Sequence, residues 1–252
     1  GPGHDPKSRM GAAWLQREAL GKGQDHFRKL KAGGGPDVPQ PDQDALAQLV
    51  SGQRTVHFHT HRADDIATIA ALQREFELDV VLHHVSEAWK VGDLIADAEL
   101  PCSLIALDAP GGKQEALQVA LENGAILEDK GVLVAFHTDD PITDSRLFLR
   151  SAGLAVRAGM SPAGALEALT LAPARMMRLD RRLGSLSAGK DADFVVLSGP
   201  PLSSWTQVEQ TWVEGTLVFD RSTPEGARLA TGGRPGMNVV GLDGRTPSGA
   251  VQ

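Results

Sequence analysis

The sequence predicts an α/β protein built on a parallel sheet or barrel and followed by a small all-β unit. Between residues 53 and 158, four short apolar runs alternate with helical patterns, and this alternation is typical of parallel sheets. Beyond residue 182 the pattern changes to short strands separated by turns. In parallel α/β folds the functional residues lie at the carboxyl ends of the strands.

The first 52 residues are predicted to form a helical connection and a linker. Apolar residues at helical spacing predict a helix over residues 11–30. Glycines and prolines over residues 32–41 predict a linker, because these residues interrupt regular structure. A short amphipathic helix is expected over residues 42–50.

Residues 53–180 carry the alternating pattern. Strands are predicted over residues 54–59, 79–82, 102–106 and 131–137. The helices that follow them are predicted over residues 65–76, 89–98, 114–128 and 145–158. Another helix is expected from Ser161 to about Thr170, because Ser161 is a good N-cap and Pro162 suits the first helical position.

Residues 181–221 are predicted to form a small β unit. Its strands are expected at residues 184–186, 194–197, 210–213 and 216–219, with a turn at Glu214 and Gly215. Residues 222–252 are rich in glycine, proline, serine and arginine and show little periodicity, which predicts an irregular tail.

Composition excludes several classes of protein. The chain has 25 Lys and Arg against 32 Asp and Glu, so its formal charge is −7, which argues against a general nucleic-acid surface. No apolar run approaches the ~18 residues of a membrane span. The single cysteine, Cys102, excludes an intrachain disulfide and a cysteine-based zinc site. Residue 1 is glycine, so we expect a processed chain or a piece of a longer one and predict no localisation.

Histidines are concentrated at the predicted strand ends. Six of the eight lie at or just past such an end: His57, His59, His61, His83, His84 and His137. A single strand-end histidine is most often a hydrogen-bonded rim residue, and the HFHTH stretch alone could be an incidental surface cluster. Three strand–helix units that deliver His, His and Asp to one edge favour a zinc-type metal site.

Several segments resemble the metal-dependent amidohydrolases, closest to the imidazolonepropionase-related and prolidase-like branch. VHFHTHRADDI (56–66), VLHHVSEAWKVGD (81–93) and VLVAFHTDDP (132–141) are similar to the fifth, sixth and eighth strand segments of that family's barrel. Residues 158–199 are similar to its C-terminal signature, and residues 9–20 to a segment between the fourth and fifth strands. The resemblance implies strands five to eight of a TIM-like (β/α)8 barrel, plus the C-terminal strands of a small β-sandwich.

The resemblance also implies roles for individual residues. His59 and His84 correspond to the metal-binding histidines of the fifth and sixth strands. Asp139 corresponds to the aspartate that binds the metal and serves as the catalytic proton acceptor. Substrate contacts are expected from four further residues, of which the two acidic ones could instead cap helices: His61, His137, Asp65 and Glu87.

The implied activity is hydrolysis of an amide, lactam or related C–N bond of a small molecule. Zn²⁺, Mn²⁺ or Fe²⁺ would activate the attacking water, and Asp139 would accept its proton and deliver it to the leaving nitrogen. The family's first-strand His-x-His and fourth-strand bridging residue have no counterpart in these 252 residues. The isolated chain is therefore expected to bind metal weakly, to self-associate, including as a homo-oligomer, and not to hydrolyse amides.

Two other functions stay open at this point. The first is a non-catalytic chain, either a truncated product or an amidohydrolase-like scaffold, which absence of metal in the full-length protein would favour. The second is an unrelated α/β protein whose histidines bind metal adventitiously, which a Rossmann-type strand order would favour.

Overall fold

The computed structural model describes residue 6 and residues 8–35, 38–106, 113–140 and 142–231. The chain divides into two compact units, Gly1–Ser185 and Leu186–Gln252. Every helix in the described ranges is too short or too polar to cross a membrane.

The first unit begins with two packed helices, α1 (Arg9–Lys31) and α2 (Pro41–Val50). The Ser8 hydroxyl accepts a hydrogen bond from the Gly11 amide and so caps α1. A Cβ atom at Gly23 would lie 2.7 Å from Cβ of Leu46, so the close approach of the two helices requires a glycine there.

Four parallel strands form the sheet of this unit, in the order β1-β2-β3-β4. They are β1 (Val56–Thr60), β2 (Val80–His84), β3 (Cys102–Leu104) and β4 (Val134–Phe136). The prediction of adjacent parallel strands in chain order is confirmed. Strand β2 is almost wholly buried, as expected for an inner strand of a parallel sheet covered by helices.

Helices follow the strands along the chain. They are α3 (Ala63–Phe76), α4 (Gly92–Asp97), α5 (Asn123–Asp129), α6 (Phe148–Arg157), α7 (Pro162–Leu169) and α8 (Leu171–Met176). Short 3-10 turns occupy Ala88–Lys90, Gln114–Ala116 and Ser145–Leu147. Ser161 caps α7 as predicted, since its hydroxyl accepts from the Gly164 amide.

The predicted continuous helix over residues 114–128 is wrong. A 3-10 turn at Gln114–Ala116 is followed by non-helical residues, and α5 begins only at Asn123. The carbonyl of Gln118 accepts a hydrogen bond from the Trp89 indole at 3.1 Å, and the Asn123 side chain accepts from the Trp89 amide at 2.9 Å. These tertiary bonds replace the helical ones that the sequence pattern predicts.

Helix α8 covers one face of the sheet near the amino ends of the strands. Val81 of β2 and Ala135 of β4 form a buried cluster with Ala172 and Met176 of α8. Side chains two residues apart on a strand share a face, so His83 lies on the same face as Val81, one step closer to the carboxyl edge. The apolar layer therefore underlies the histidines.

The second unit contains an antiparallel sheet of three strands, in the order β5-β6-β7. The strands are β5 (Phe194–Leu197), β6 (Val208–Val213) and β7 (Thr216–Asp220). The ring of Phe194 stacks on that of its cross-strand partner Trp212, with centroids 5.6 Å apart. The antiparallel β unit that the sequence predicts for this region is present.

Two predictions near this unit need correction. Residues 184–186 form no strand, because Gly184 is left-handed (φ 85°) and packs closely against Leu171 and Ala174. The sequence predicts an irregular tail from residue 222, but α9 occupies Pro224–Thr231. The Thr223 hydroxyl accepts from the Gly226 amide at 3.0 Å and thus caps this helix. Residues 232–252 lie outside the described residues.

Candidate metal centre

The strand-end histidines meet at the carboxyl edge of the parallel sheet. The rings of His59 and His84 have centroids 4.3 Å apart, and the His61 ring stacks on His84 at 4.9 Å. His137 lies edge-on to His84 at 4.8 Å. Four imidazoles from the ends of three strands therefore form one contiguous cluster, as the sequence predicts for residues that follow parallel strands.

Strand register explains how most of these rings reach one face. His57 and His59 of β1 are two residues apart and so share a face, and His59 pairs in register with His83 of β2. His57 Nδ1 lies 2.8 Å from His83 Nε2. These two rings form a second pair, on the amino-terminal side of the main cluster.

His84 reaches the cluster through a backbone reversal. Alternation along β2 would direct its side chain away from the face that carries His83. His84 and Val85 both adopt left-handed backbone conformations, with φ of 69° and 41°. Such conformations cost about 1–2 kcal/mol for each non-glycine residue. Hydrogen bonds offset this cost, since the Val85 amide donates to the Thr60 carbonyl at 2.8 Å and the Glu87 amide to the His61 carbonyl at 2.9 Å.

Neighbouring groups orient two of the imidazoles. Nδ1 of the buried His61 lies 2.8 Å from the hydroxyl oxygen of Ser86. Nδ1 of the buried His84 lies 3.1 Å from Nε2 of His137. Each bond occupies Nδ1 and so leaves Nε2 as the ring nitrogen for a ligand.

A lysine marks the point on which two of these nitrogens converge. Nζ of Lys113 lies 3.0 Å from Nε2 of His59 and 3.1 Å from Nε2 of His61. An ammonium group only donates hydrogen bonds, so both ring nitrogens accept and direct their lone pairs at one cation. Glu115 approaches the same point, with its carboxylate 3.2 Å from Lys113 Nζ and 3.9 Å from His59 Nε2.

This donor set fits a divalent metal ion. Among the described residues, ligand atoms of His59, His61 and Glu115 all lie within 4.8 Å of one another. This group contains the predicted ligand His59 but neither His84 nor Asp139. Imidazole nitrogens with a carboxylate oxygen are typical ligands of zinc and related ions. Charge complementarity also supports the fit, because the arrangement already accommodates the positive charge of Lys113.

Burial keeps three of the clustered imidazoles, those of His61, His84 and His137, neutral, which is the form that binds metal. Burial and the charge of Lys113 lower the pKa of His61 to about 4. Burial and the neighbouring His137 lower the pKa of His84 to about 2. The pKa of His137 falls to about 4 through burial and the proximity of His83. At neutral pH these three rings therefore carry lone pairs.

Asp139 lies beside the cluster, on an exposed turn after β4. Its backbone is left-handed, with φ 53°. Against the larger effect of burial, its negative charge raises the pKa of His61, His83 and His137. The structure thus brings Asp139 near the predicted ligands, while its role as ligand and proton acceptor stays a prediction.

The two acidic residues predicted to contact substrate have other partners in the structure. Glu87 accepts a hydrogen bond from the Ala63 amide at the start of α3 and pairs with Lys90 at 3.0 Å. Asp65, in the first turn of α3, pairs with Arg9 of α1. Both carboxylates therefore stabilise local structure, and substrate contact by either stays a prediction.

Sequence reasoning missed four residues of this site, namely Lys113, Glu115, Ser86 and Ser103. Ser86 follows His84 by two residues, and Lys113 and Glu115 follow the third strand along the chain. Position after a strand end is the signal that could have identified these three, whereas Ser103 lies within β3.

Comparisons with known proteins agree with this architecture. The model of the amidohydrolase family matches residues 32–234. The chain is 28% identical over 231 residues to the amidohydrolase tasK of Hapsidospora irregularis, covering 85% of this chain and 24% of that protein. It is 29% identical over 218 residues to adenine deaminase 2 of Jannaschia sp. (strain CCS1), covering 84% of this chain and 33% of that protein. An amidohydrolase structure from Thermotoga maritima MSB8 superposes with a TM-score of 0.79 at 31% identity. The match covers 86% of this chain and 57% of that one.

The chain spans 24% and 33% of the length of these two curated relatives. Both relatives carry the names of hydrolases that act on C–N bonds. Since the family model matches most of the sequence, the chain belongs to the amidohydrolase family, within the metal-dependent amidohydrolase superfamily.

Proposed function

We propose that this protein takes part in metal-dependent hydrolysis of a C–N bond in a small molecule, such as an amide, a lactam or an exocyclic amine. The observation that carries the proposal is the convergence of two imidazole nitrogens on one positive charge. His59 Nε2 and His61 Nε2 lie 3.0 and 3.1 Å from the ammonium nitrogen of Lys113. Neutral imidazoles beside a carboxylate at the carboxyl edge of a parallel sheet are suited to holding Zn²⁺, Mn²⁺ or Fe²⁺.

In this proposal His59, His84 and Asp139 hold the ion, with His61 and Glu115 beside it. When bound, such an ion would activate the attacking water and polarise the scissile bond. Asp139 accepts a proton from the attacking water and returns it to the leaving nitrogen. Its exposed position leaves room for substrate. His61 is proposed to contact the substrate through its Nε2, and His137 through the carbon edge of its ring, because both nitrogens of His137 are bonded to Ser103 and His84.

We further propose that the parallel sheet supplies strands five to eight of a (β/α)8 barrel, and that β5–β7 supply part of a sandwich. The 57% coverage of the Thermotoga maritima structure supports this proposal. The remaining metal ligands would then come from strands one to four. On the segments around His59, His84 and Asp139 we place the chain in the imidazolonepropionase-related and prolidase-like branch.

The test uses the full-length gene product loaded separately with Zn²⁺, Mn²⁺ and Fe²⁺. Hydrolysis is assayed on N-acyl amino acids, lactams and aminopurines. Asp139→Asn is expected to lower kcat by at least about a hundredfold, the loss typical of a missing general base, while metal content is largely retained.

Asp140→Asn is the matched control, because that neighbouring carboxylate is bonded to Ser145 instead. It should leave kcat within about twofold, as for a surface change away from the site. Tight metal binding without turnover of any substrate class would support a scaffold role instead. Full activity of Asp139→Asn would remove Asp139 from the mechanism.

A further inference from the structure

We infer that His137 and Ser103 form a positioning pair that fixes the tautomer of His84 and so prepares its Nε2 for the metal. The inference rests on the proposed function, because it concerns a proposed ligand of the same site. It adds two residues that act through His84 without binding the ion themselves.

The pair is built across two neighbouring strands. Ser103 of β3 is in register with Ala135 of β4, and His137 follows two residues later, so both side chains share one face. Nδ1 of His137 lies 2.7 Å from the Ser103 hydroxyl oxygen. Nε2 of the same ring lies 3.1 Å from Nδ1 of His84. Ser103 and His84 are each 6% exposed, so bulk water competes little for these bonds.

Only two proton arrangements satisfy this chain of bonds when both rings are neutral. In the first, His84 Nδ1–H donates to His137 Nε2, and His137 Nδ1–H donates to the Ser103 oxygen. In the second, the Ser103 hydroxyl donates to His137 Nδ1, and His137 Nε2–H donates to His84 Nδ1. The second places a proton on His84 Nε2 and prevents that nitrogen from binding a metal.

The chain of bonds therefore couples the Ser103 hydroxyl to the lone pair of His84. A neutral imidazole in water favours the proton on Nε2, so an acceptor for Nδ1–H is needed to hold the metal-binding tautomer. His137 Nε2 is that acceptor, and Ser103 is the acceptor that allows His137 to keep its own proton on Nδ1. Loss of a group that hydrogen-bonds a metal-binding histidine typically changes metal affinity by 10–100-fold.

His61 provides an internal comparison. Its Nδ1 is held by Ser86 at 2.8 Å, and this bond involves neither His137 nor Ser103. A change at His137 should therefore shift the tautomer of His84 and leave that of His61 in place. A merely structural loss would disturb both rings.

The experiment measures imidazole tautomers by long-range ¹H–¹⁵N correlation NMR on histidine-labelled, metal-free full-length protein at pH 7.5. In the wild-type protein, His84 and His137 are expected to carry their protons on Nδ1. His137→Phe should move the His84 proton to Nε2 and weaken Co²⁺ binding by about 10–100-fold. His137→Gln should restore most of the affinity, because an amide can both accept from His84 and donate to Ser103.

Two milder variants guard against failure of His137→Phe to fold. Ser103→Ala should raise the fraction of the Nε2–H tautomer of His84, and Ser103→Thr, which retains the hydroxyl, should not. His57→Gln is the matched control, because His57 pairs with His83 outside this chain of bonds. It should leave the His84 tautomer unchanged.

Wild-type His84 with its proton on Nε2 would overturn the inference, as would a tautomer and Co²⁺ affinity insensitive to both His137→Phe and Ser103→Ala. The predicted tautomers in a protein without hydrolytic activity would uphold the positioning pair and count against the proposed function alone.

Discussion

Nδ1 of His61 lies 2.8 Å from the hydroxyl oxygen of Ser86, across two neighbouring loops at the carboxyl edge of the sheet. The two residues are 4% and 3% exposed. The Glu87 amide also donates to the His61 carbonyl at 2.9 Å. The turn after β2 therefore sets the direction in which His61 presents Nε2 to Lys113.

Ser86→Ala should lower the stability of the metal-free protein. The change leaves the buried Nδ1 of His61 without its partner, which typically costs about 1–3 kcal/mol. The free energy of unfolding in urea measures the effect. Ser51→Ala is the control, because it removes a half-buried hydroxyl bond to the Gln48 carbonyl at 3.2 Å and should cost less than about 1 kcal/mol. An equal loss of unfolding free energy in the two variants would show that the bond between Ser86 and His61 stabilises the protein no more than an ordinary half-buried hydrogen bond.

Lys113→Met should tighten Zn²⁺ binding. The ammonium lies 3.0 Å from Nε2 of the proposed ligand His59 and 3.1 Å from Nε2 of His61, so it repels a second cation there. The Lys113 side chain is 48% exposed, so a high effective dielectric applies, and the repulsion between a single and a double positive charge ~4 Å apart is about 2 kcal/mol, or roughly thirtyfold in affinity. Competition with a chromophoric chelator measures the change. Lys113→Arg keeps the charge and should stay near the wild-type affinity, whereas weaker binding in Lys113→Met would make Lys113 a supporting residue of the site.

Gly184→Ala should destabilise the protein more than Gly189→Ala. Both glycines are left-handed, with φ of 85° and 90°, so each substitution incurs a backbone cost of about 1–2 kcal/mol. A Cβ at Gly184 would also lie 2.8 Å from Cβ of Ala174, whereas one at Gly189 would meet no heavy atom within 4 Å. Overpacking adds about 1–3 kcal/mol, which thermal or urea unfolding resolves. Equal destabilisation would mean that the chain near Gly184 relaxes freely.

The metal-free protein should lose stability as the pH falls from about 7 to about 5. Burial lowers the pKa of His61 to about 4 and of His84 to about 2, while the unfolded chain takes up protons near the ordinary value of about 6.5. Below that value the unfolded state binds more protons than the folded state, so acid favours unfolding. Above a pH of about 6.5, both histidines are neutral in the folded and the unfolded state, so they no longer make stability depend on pH.

Urea unfolding at several pH values, with a chelator present, tests this prediction. One such histidine contributes at most about 1.4 kcal/mol per pH unit in the window. His61→Asn should therefore show a shallower decline than the wild-type protein. An unchanged slope in that variant, or a gain in stability towards pH 5, would contradict the assignment of His61 as a buried neutral ring.

The sheet could be predicted from the sequence because its signals are local and repeated. Each strand is a short apolar run, and order along the chain becomes order in the sheet for successive parallel units. The helix cap at Ser161 could also be predicted from the sequence. The interruption of the helix before Asn123 could not be predicted, because hydrogen bonds from Trp89, more than 25 residues away in sequence, override local helical propensity.

The candidate site could be predicted only in part from the sequence, for a similar reason. Histidines at strand ends predict a cluster, but alternation along β2 would exclude His84 from the face that carries His83. Its inclusion depends on a left-handed backbone at His84 and Val85, which no pattern of residue types encodes. The partners Lys113, Ser86 and Ser103 come from other segments of the chain and become visible only once the fold brings them together.

Zn²⁺ affinity of the full-length gene product, measured by competition with a chelator, tests the metal centre most directly. His59→Asn and His84→Asn are each expected to weaken binding by at least about a hundredfold, as for loss of a direct ligand whose outer-shell partners alone are worth 10–100-fold. His57→Asn, at a neighbouring ring with no assigned ligand role, should stay near the wild-type value. Wild-type affinity in both His59→Asn and His84→Asn, or an equal loss in His57→Asn, would contradict a metal centre at this edge of the sheet.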